Sequence, residues 1–404
     1  MRTTENTGVP SRLAVSARAA SAQRSAIREI FDRANTMEDV IRLEIGEPSF
    51  LTPAHIRAGA REAADAGFTR YTPNGGFASL RELIAEKIER VDRYSVSADD
   101  VVVTPGAMNA LFSLYLALLE PGEEVLLPTP GYPNMDEMVR LLGGVAVFYA
   151  LRPENGYLPD PAEIDALVTP RTKAIFVNSP SNPTGAVFPR ELMAELVDVA
   201  AHHGFWVISD EVYDEMILDD GLEHFSPARL DAERVVTVYS FSKIYAMTGW
   251  RIGYLAAPRV LADAVRKLQE PQVSCPSAIS QKAAEAALLG PHDEIDAMIA
   301  AYRARRDGAW SAIGRHGLSA FRTQGTFYML LDIGEQAQDS MAFALRLLEE
   351  HRVAVAPGVV HGPGGAGKVR ISFGVEPEII EEGIARIAAA VERGSAGGDA
   401  SVSR

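Results

Sequence analysis

A chain of 404 residues is too long for one hydrophobic core, so two or three domains are expected, and 47% hydrophobic against 23% charged residues excludes a disordered or fibrous chain. A formal charge of −15 argues against nucleic acid as a partner, which needs clustered Lys and Arg, and no run reaches the roughly 20 apolar residues that span a bilayer. The single cysteine, Cys275, excludes an intrachain disulfide framework and a cysteine-rich metal site, and it suits a reducing cytoplasm, the expected location.

Residues 1–24, rich in Ala, Ser, Thr and Arg, read as a flexible arm. Arg42 and Glu44 then alternate with Ile41, Leu43 and Ile45, which places both charges on one side of a strand leading to Gly46; a structural ion pair is expected, with weaker candidacy for substrate contact. In Phe77 to Val91, the residues Leu80, Leu83, Ile84, Ile88 and Val91 form one apolar stripe, so this segment is a helix packed on a core. Short Val/Ile-rich runs follow at Val101–Val103, Glu124–Leu127, Ala174–Val177, Trp206–Ser209, Val235–Tyr239 and Arg251–Leu255, separated mostly by helical patterns. That alternation predicts an α/β fold with a mostly parallel sheet between helices. After about Ala300 the pattern changes to a long charged helix and short strands near Phe327–Leu331 and Val369–Phe373, a candidate second domain packed closely on the first. Residues 394–404 read as a disordered tail.

Polar and glycine-containing segments directly follow five of these strands: Thr104-Pro-Gly106, Pro130-Gly-Tyr132, Asn178 to Asn182, Asp210 to Tyr213, and Ser240 to Lys243. Ligands of open parallel sheets bind beyond the carboxyl ends of the strands, so the five segments are expected to converge on one site. Gly106-Ala-Met-Asn opens a helix, whose free N–H groups and positive end suit a phosphate; Ser240 and Ser242 add hydroxyl donors, and Arg251 a bidentate fork. Lys243, enclosed by apolar and small residues, suits a nucleophilic amine. Asp210, after Phe205-Trp-Val-Ile-Ser, is expected to be a buried carboxylate, costly unless it meets a cation such as a protonated pyridine nitrogen.

With Gly46-Glu-Pro, Tyr71 followed by Gly75-Gly, Asn182-Pro-Thr-Gly, Asp210-Glu-Val-Tyr213, the lysine segment through Gly253, and Arg370, the chain resembles the fold-type-I pyridoxal-phosphate (PLP) aminotransferases over nearly its whole length. The similarity is to the class I/II family that contains the aspartate, tyrosine and alanine aminotransferases. It implies a large PLP-binding domain over 57–300 with a seven-stranded sheet, and a smaller α+β domain from 25–56 and 301–393. It implies that Lys243 carries PLP as a Schiff base, the internal aldimine, and moves a proton between substrate and cofactor carbons. Asp210 then pairs with the ring nitrogen, Tyr213 and Asn182 bond the phenolic oxygen, and Tyr132 stacks on the ring. Gly106, Ala107, Met108, Ser240, Ser242 and Arg251 form the phosphate cup, which Tyr71 completes from the neighbouring subunit of a homodimer. Gly46, Asn182 and Arg370 hold the substrate α-carboxylate.

The implied reaction is a two-stage exchange between an amino acid and a 2-oxo acid through pyridoxamine phosphate. Two departures bear on the substrate: Met108 stands where bacterial members often place a lysine, and Leu268 to Gln281 contains no Lys or Arg. The amino donor is therefore expected to have a neutral, apolar or aromatic side chain. A carbon–sulfur lyase or decarboxylase on the same fold is the alternative, followed by a PLP-sensing regulator, which would need a DNA-binding module larger than the roughly 45 residues before Gly46.

Three other signals are set aside. Gly362-Pro-Gly-Gly-Ala-Gly-Lys368 fits a P-loop string, but Val369 replaces Ser or Thr and a strand follows, so a mobile loop near the site is expected. Ser240-Phe-Ser-Lys243 has serine-hydrolase spacing without the companion motifs. His202 and His203 lack carboxylates at metal spacing and read as surface residues, and no metal is expected.

Overall fold

A computed structural model of the protein describes residues 14–22, 25–334 and 339–398, with side chains described as far as residue 392. Residues 1–13 and 23–24 of the expected arm and 399–404 of the expected tail lie outside the described residues. Within the arm, Ala17–Ser21 form a short helix capped by Ser16, whose hydroxyl accepts from the Ala19 N–H. The terminal helix Pro377–Gly398 continues into the expected tail.

Thirteen strands are described: β1 (Ile41–Arg42), β2 (Val101–Thr104), β3 (Glu124–Thr129), β4 (Val145–Ala150), β5 (Thr172–Asn178), β6 (Trp206–Asp210), β7 (Val235–Ser240), β8 (Gly253–Ala256), β9 (Ser319–Ala320), β10 (Tyr328–Asp332), β11 (Val353–Ala354), β12 (Ala356–Pro357) and β13 (Lys368–Ser372). Seven of them form the main sheet, in the order β2-β8-β7-β6-β5-β3-β4, and only β8 runs antiparallel to its neighbours. Alternation along the central strands serves both faces. Phe176 and Ile208 enter one core, while Ile175 and Val207, paired across the same register, enter the other.

The mostly parallel sheet expected from sequence is therefore present. β8 starts two residues later than expected, because Arg251 adopts a left-handed conformation with φ 51°. β4 was not among the expected strands. It lies at the sheet edge with Val145 exposed, so it lacks the fully buried apolar run of its neighbours.

A second, antiparallel sheet has the order β12-β13-β10-β9, and β1 pairs in parallel with β11. The first strand and the last third of the chain are thus one packed unit: Ile41 lies opposite Val353, and the Ser372 N–H donates to the Leu43 carbonyl at 2.7 Å. The helix Ala26–Ala34 joins this unit by burying Ile30 and Ala34 and packing on β11, β12 and the helix Ser340–His351. The charged helix expected after Ala300 runs from Asp293 to Arg315 and so crosses the expected division at 300. No helix among the described residues is long and apolar enough to cross a membrane.

On the helix Ala78–Val91 the apolar stripe is interrupted by Lys87, which is only 4% exposed. Its ammonium pairs with Asp214, and lies 3.5 Å from Glu215 and 3.9 Å from Asp92. Burial pushes the Asp92 carboxyl up despite the opposing lysine charge. Removing the ammonium strands these carboxylates in a low-dielectric interior, so Lys87→Met is expected to cost about 3 kcal/mol or more. Guanidinium denaturation checks this, and a loss below about 1 kcal/mol refutes the assignment.

Candidate active site

A cavity of about 600 Å³ opens beyond the carboxyl ends of the parallel strands and is closed on its other side by β1's exit loop and the second sheet. Ala107 and Met108 reach it from the first turn of the helix after β2, Tyr132 from the turn after β3, Asn182 after β5, Asp210 and Tyr213 from β6 and its exit, and Ser240, Ser242 and Lys243 from β7 and its exit. Arg251 joins them from the turn before β8, Gly46 from the segment after β1, and Arg370 from the middle of β13. Two expected site residues do not line it. Gly106 stands just behind the lining, against Arg251; Tyr71 points away into solvent, 90% exposed.

One end of the cavity is built for an anion. Gly106, with φ 81°, precedes the helix Ala107–Leu118, so the helix's first N–H groups face the cavity. A Cβ on Gly106 would collide with the Arg251 guanidinium, which is held by a 2.8 Å hydrogen bond to the Thr248 carbonyl. The Ser240 hydroxyl accepts from the Ser242 N–H at 3.0 Å, which fixes the tight turn from β7 into Lys243.

The floor is the buried Asp210 carboxylate. It accepts from the Val212 N–H at 3.3 Å, and no described residue forms an ion pair with it. Burial pushes it up to about 7, a repulsive Glu211 adding to the rise while the Val212 N–H and Lys243 oppose it. Asn178, which opens one of the five expected segments but was given no role of its own, braces this floor: its amide donates to the Asp210 carbonyl at 3.0 Å, and its side-chain oxygen accepts from the Asn182 N–H at 2.7 Å. Glu211 turns the other way, accepting from Ser226 at 2.9 Å and lying 3.0 Å from the His224 ring.

Above the floor, Lys243 Nζ donates to the Gly46 carbonyl at 2.6 Å. Arg370 is 3% exposed; it donates to Asn182 Oδ1 at 3.1 Å and to the Glu44 carbonyl at 2.7 Å, leaving Nε without a partner. Tyr328 is a second residue that sequence reasoning missed, because it reads as one more apolar residue of the expected strand Phe327–Leu331. Its ring lies 4.2 Å beneath the Arg370 guanidinium, its hydroxyl accepts from Tyr213 at 3.3 Å, and it fills the space a Cβ on Gly46 would need. Burial pushes the Tyr213 phenol well up and the Tyr132 phenol up to about 12, so both keep their protons at neutral pH.

The loop containing Gly362–Gly365 is pinned instead of free. His361 and Gly131 exchange two hydrogen bonds of 2.9 Å, and the Gly364 N–H donates to Thr129 Oγ1 at 2.8 Å, so the loop braces the turn carrying Tyr132. Burial pushes His361 down to about 3, with Arg370 adding to the effect; its neutral Nδ1–H is the donor to Gly131. Arg42 and Glu44 form the expected ion pair, with Nε donating at 2.6 Å, and His203 meets Asp165 at the surface. Four side chains of the helix Ala26–Ala34 and its cap, Ser25, Ile27, Arg28 and Phe31, also line the cavity and were not anticipated.

An unpaired buried carboxylate, a primary amine above it, an anion cup at one end and an arginine fork at the other suit a flat cationic ring carrying a phosphate, with a carboxylate ligand beside it. Residues 38–387 match the model of the family Aminotransferase class I and II. The chain is 40% identical over 358 residues, 88% of its length and 92% of the relative's, to an aspartate/prephenate aminotransferase of Thermus thermophilus. It is 36% identical to aromatic-amino-acid aminotransferase 2 of Thermococcus litoralis, over 93% of its length and 97% of the relative's. The solved structure of the Thermus thermophilus aspartate aminotransferase with maleate superimposes with a TM-score of 0.89 at 38% identity, over 93% of this chain and 99% of that one.

Proposed function

The chain belongs to the class I and II aminotransferases, and from that premise we propose that it is a PLP enzyme exchanging the amino group of a neutral, apolar or aromatic amino acid with a 2-oxo acid. The observation that carries the reading is the meeting of Lys243, Asp210 and Arg370 in one cavity. Bound there, PLP supplies a carbonyl that takes up the amine and a ring that withdraws electrons.

The chain's own residues do the rest. The N–H groups of Ala107 and Met108, the hydroxyls of Ser240 and Ser242, and Arg251 hold the phosphate. Asp210 holds a ring-nitrogen proton, an arrangement favoured because no described residue forms an ion pair with its carboxylate. Tyr213 and Asn182 donate to the phenolic oxygen, and Tyr132 covers the ring face. Arg370, which lines the cavity, grips the substrate α-carboxylate with its guanidinium. Lys243 Nζ moves the proton at the substrate α-carbon, and the Gly46 carbonyl accepts from that amine whenever it stands free of the cofactor.

The domain division at 57–300 against 25–56 with 301–393, a homodimer, and a cytoplasmic setting complete the proposal. The homodimer is supported by Tyr71, whose 90% exposure leaves a phenol free for a neighbouring phosphate.

The substrate preference is supported by Met108 and Leu111, which give the cavity wall beside Tyr132 an apolar character. Its test is a half-reaction panel in which loss of the visible absorbance of the yellow enzyme is followed with each amino acid. Alanine, valine or phenylalanine is expected to discharge the enzyme at least as fast as aspartate and glutamate. Acidic donors far ahead of all three overturn the preference.

A further inference from the structure

Four cationic side chains line the cavity among the described residues: Lys243, Arg251, Arg370 and Arg28. The first three have work in the reading above. Arg28 has none. We infer that Arg28 is the specificity residue for the acidic partner of the exchange, binding the distal carboxylate of a dicarboxylic amino or 2-oxo acid. This inference rests on the aminotransferase reading and adds the recognition of the second substrate to it.

Helix geometry puts Arg28 in position. Ile30 and Ala34 face the core, Arg28 lies on the opposite side of the helix, and Phe31 on the flank between them; both line the cavity. Phe31 lies between two guanidinium groups, with the carbon of Arg28 4.6 Å and that of Arg42 4.9 Å from its ring centre. The two arginines differ in what else they hold. Arg42 is committed, donating to Glu44 at 2.6 Å and to Asn35 at 2.7 Å. Arg28 has a 3.6 Å approach to Asp32 one turn along, with the two side chains 61% and 40% exposed. Such an exposed pair one turn apart contributes little, so the guanidinium is available to an incoming carboxylate at little cost.

The placement resolves a chemical difficulty. In a two-stage exchange both substrates enter the same cavity in turn, and one wall must serve two kinds of side chain. Met108 and Leu111 offer a neutral side chain apolar contact. A second carboxylate meets no cation on that wall, but does meet Arg28 on the helix opposite. Stacking on Phe31 keeps the guanidinium flat and pre-oriented, which favours a two-pronged contact.

The test compares Arg28→Gln and Arg28→Lys with the parent holoenzyme, using glutamate and 2-oxoglutarate as acidic probes and phenylalanine and phenylpyruvate as neutral ones. For Arg28→Gln, kcat/KM for the acidic pair is expected to fall roughly ten- to a hundredfold, the usual loss of a hydrogen bond to a charged group, and for the neutral pair to stay within about twofold. The fall should appear in KM, and Arg28→Lys should recover part of it. Succinate, which lacks an amino or oxo group, should bind the parent and lose affinity in parallel.

Equal losses for both pairs would show that the helix only roofs the cavity, and unchanged values for both would show that Arg28 contacts neither; either result overturns the inference. A failure of the underlying substrate reading looks different: phenylalanine would then fail to react with the parent enzyme itself.

Discussion

Lys243→Ala is expected to lower transamination by at least about ten-thousandfold while leaving the fold unchanged, because one side chain is asked to act both as nucleophile and as proton carrier. The structure gives that amine few other duties. It is half-buried and makes one hydrogen bond, to the Gly46 carbonyl at 2.6 Å, and the alanine variant leaves this oxygen facing the cavity instead of stranded in a core. Its backbone is held independently, by the Ser240–Ser242 turn at 3.0 Å and by the Ala246 N–H donating to the Lys243 carbonyl at 3.2 Å. Circular dichroism and the thermal midpoint should therefore match the parent. Lys243→Arg separates charge from chemistry, since a guanidinium preserves the positive charge but stays protonated at neutral pH. It should be as inactive as the alanine variant. Activity within about tenfold of the parent in either variant would remove Lys243 from the centre of the reaction.

Residues that announce themselves by being out of place were legible in the sequence. Asp210, Asn182 and Lys243 each follow an apolar strand, where a polar side chain is costly unless it has a purpose, and the parallel-sheet rule gathers such residues at one edge. Arg370 was reached only through family resemblance, since an arginine in a short strand is otherwise unremarkable. The remainder depends on contacts between distant parts of the chain. Nothing near Arg28 in sequence marks it as a cavity residue; it arrives there because Ile30 and Ala34 dock on strands more than 300 residues later. Tyr328 begins a strand and reads as core, yet its hydroxyl and ring face Tyr213 and Arg370. Lys87 was hidden because its buried apolar neighbours Leu80, Ile84 and Ile88 define the helix face so well that a buried charge within it leaves no pattern of its own. β4 escaped for the opposite reason, as an edge strand too exposed to show a continuous apolar run.

The second large effect concerns Asp210 and carries a cost in stability that the cofactor must offset. In the cofactor-free chain burial raises this carboxyl from 3.8 to about 7. Between those values the folded chain keeps a proton that the unfolded chain has released, so stability is unaffected below 3.8 and falls as pH rises through that window toward about 7. Above it the unpaired charge costs on the order of 4 kcal/mol. Asp210→Asn keeps the shape and removes the charge. Without cofactor it should therefore be more stable than the parent at pH 8, equal to it near pH 4, and flatter in between, as read by thermal or guanidinium midpoints across pH.

With PLP the ranking reverses. The parent gains a cation for its carboxylate, whereas the variant offers a neutral amide to the ring nitrogen, and turnover should fall by about a thousandfold or more, the scale of losing a preorganised charge at the reacting centre. Stability and activity thus pull in opposite directions at one residue, as expected where a strained group is kept for its function. If the cofactor-free variant kept the parent's pH slope, the unpaired charge would lie elsewhere in the cavity, and the electrostatic role given to Asp210 would fall with it.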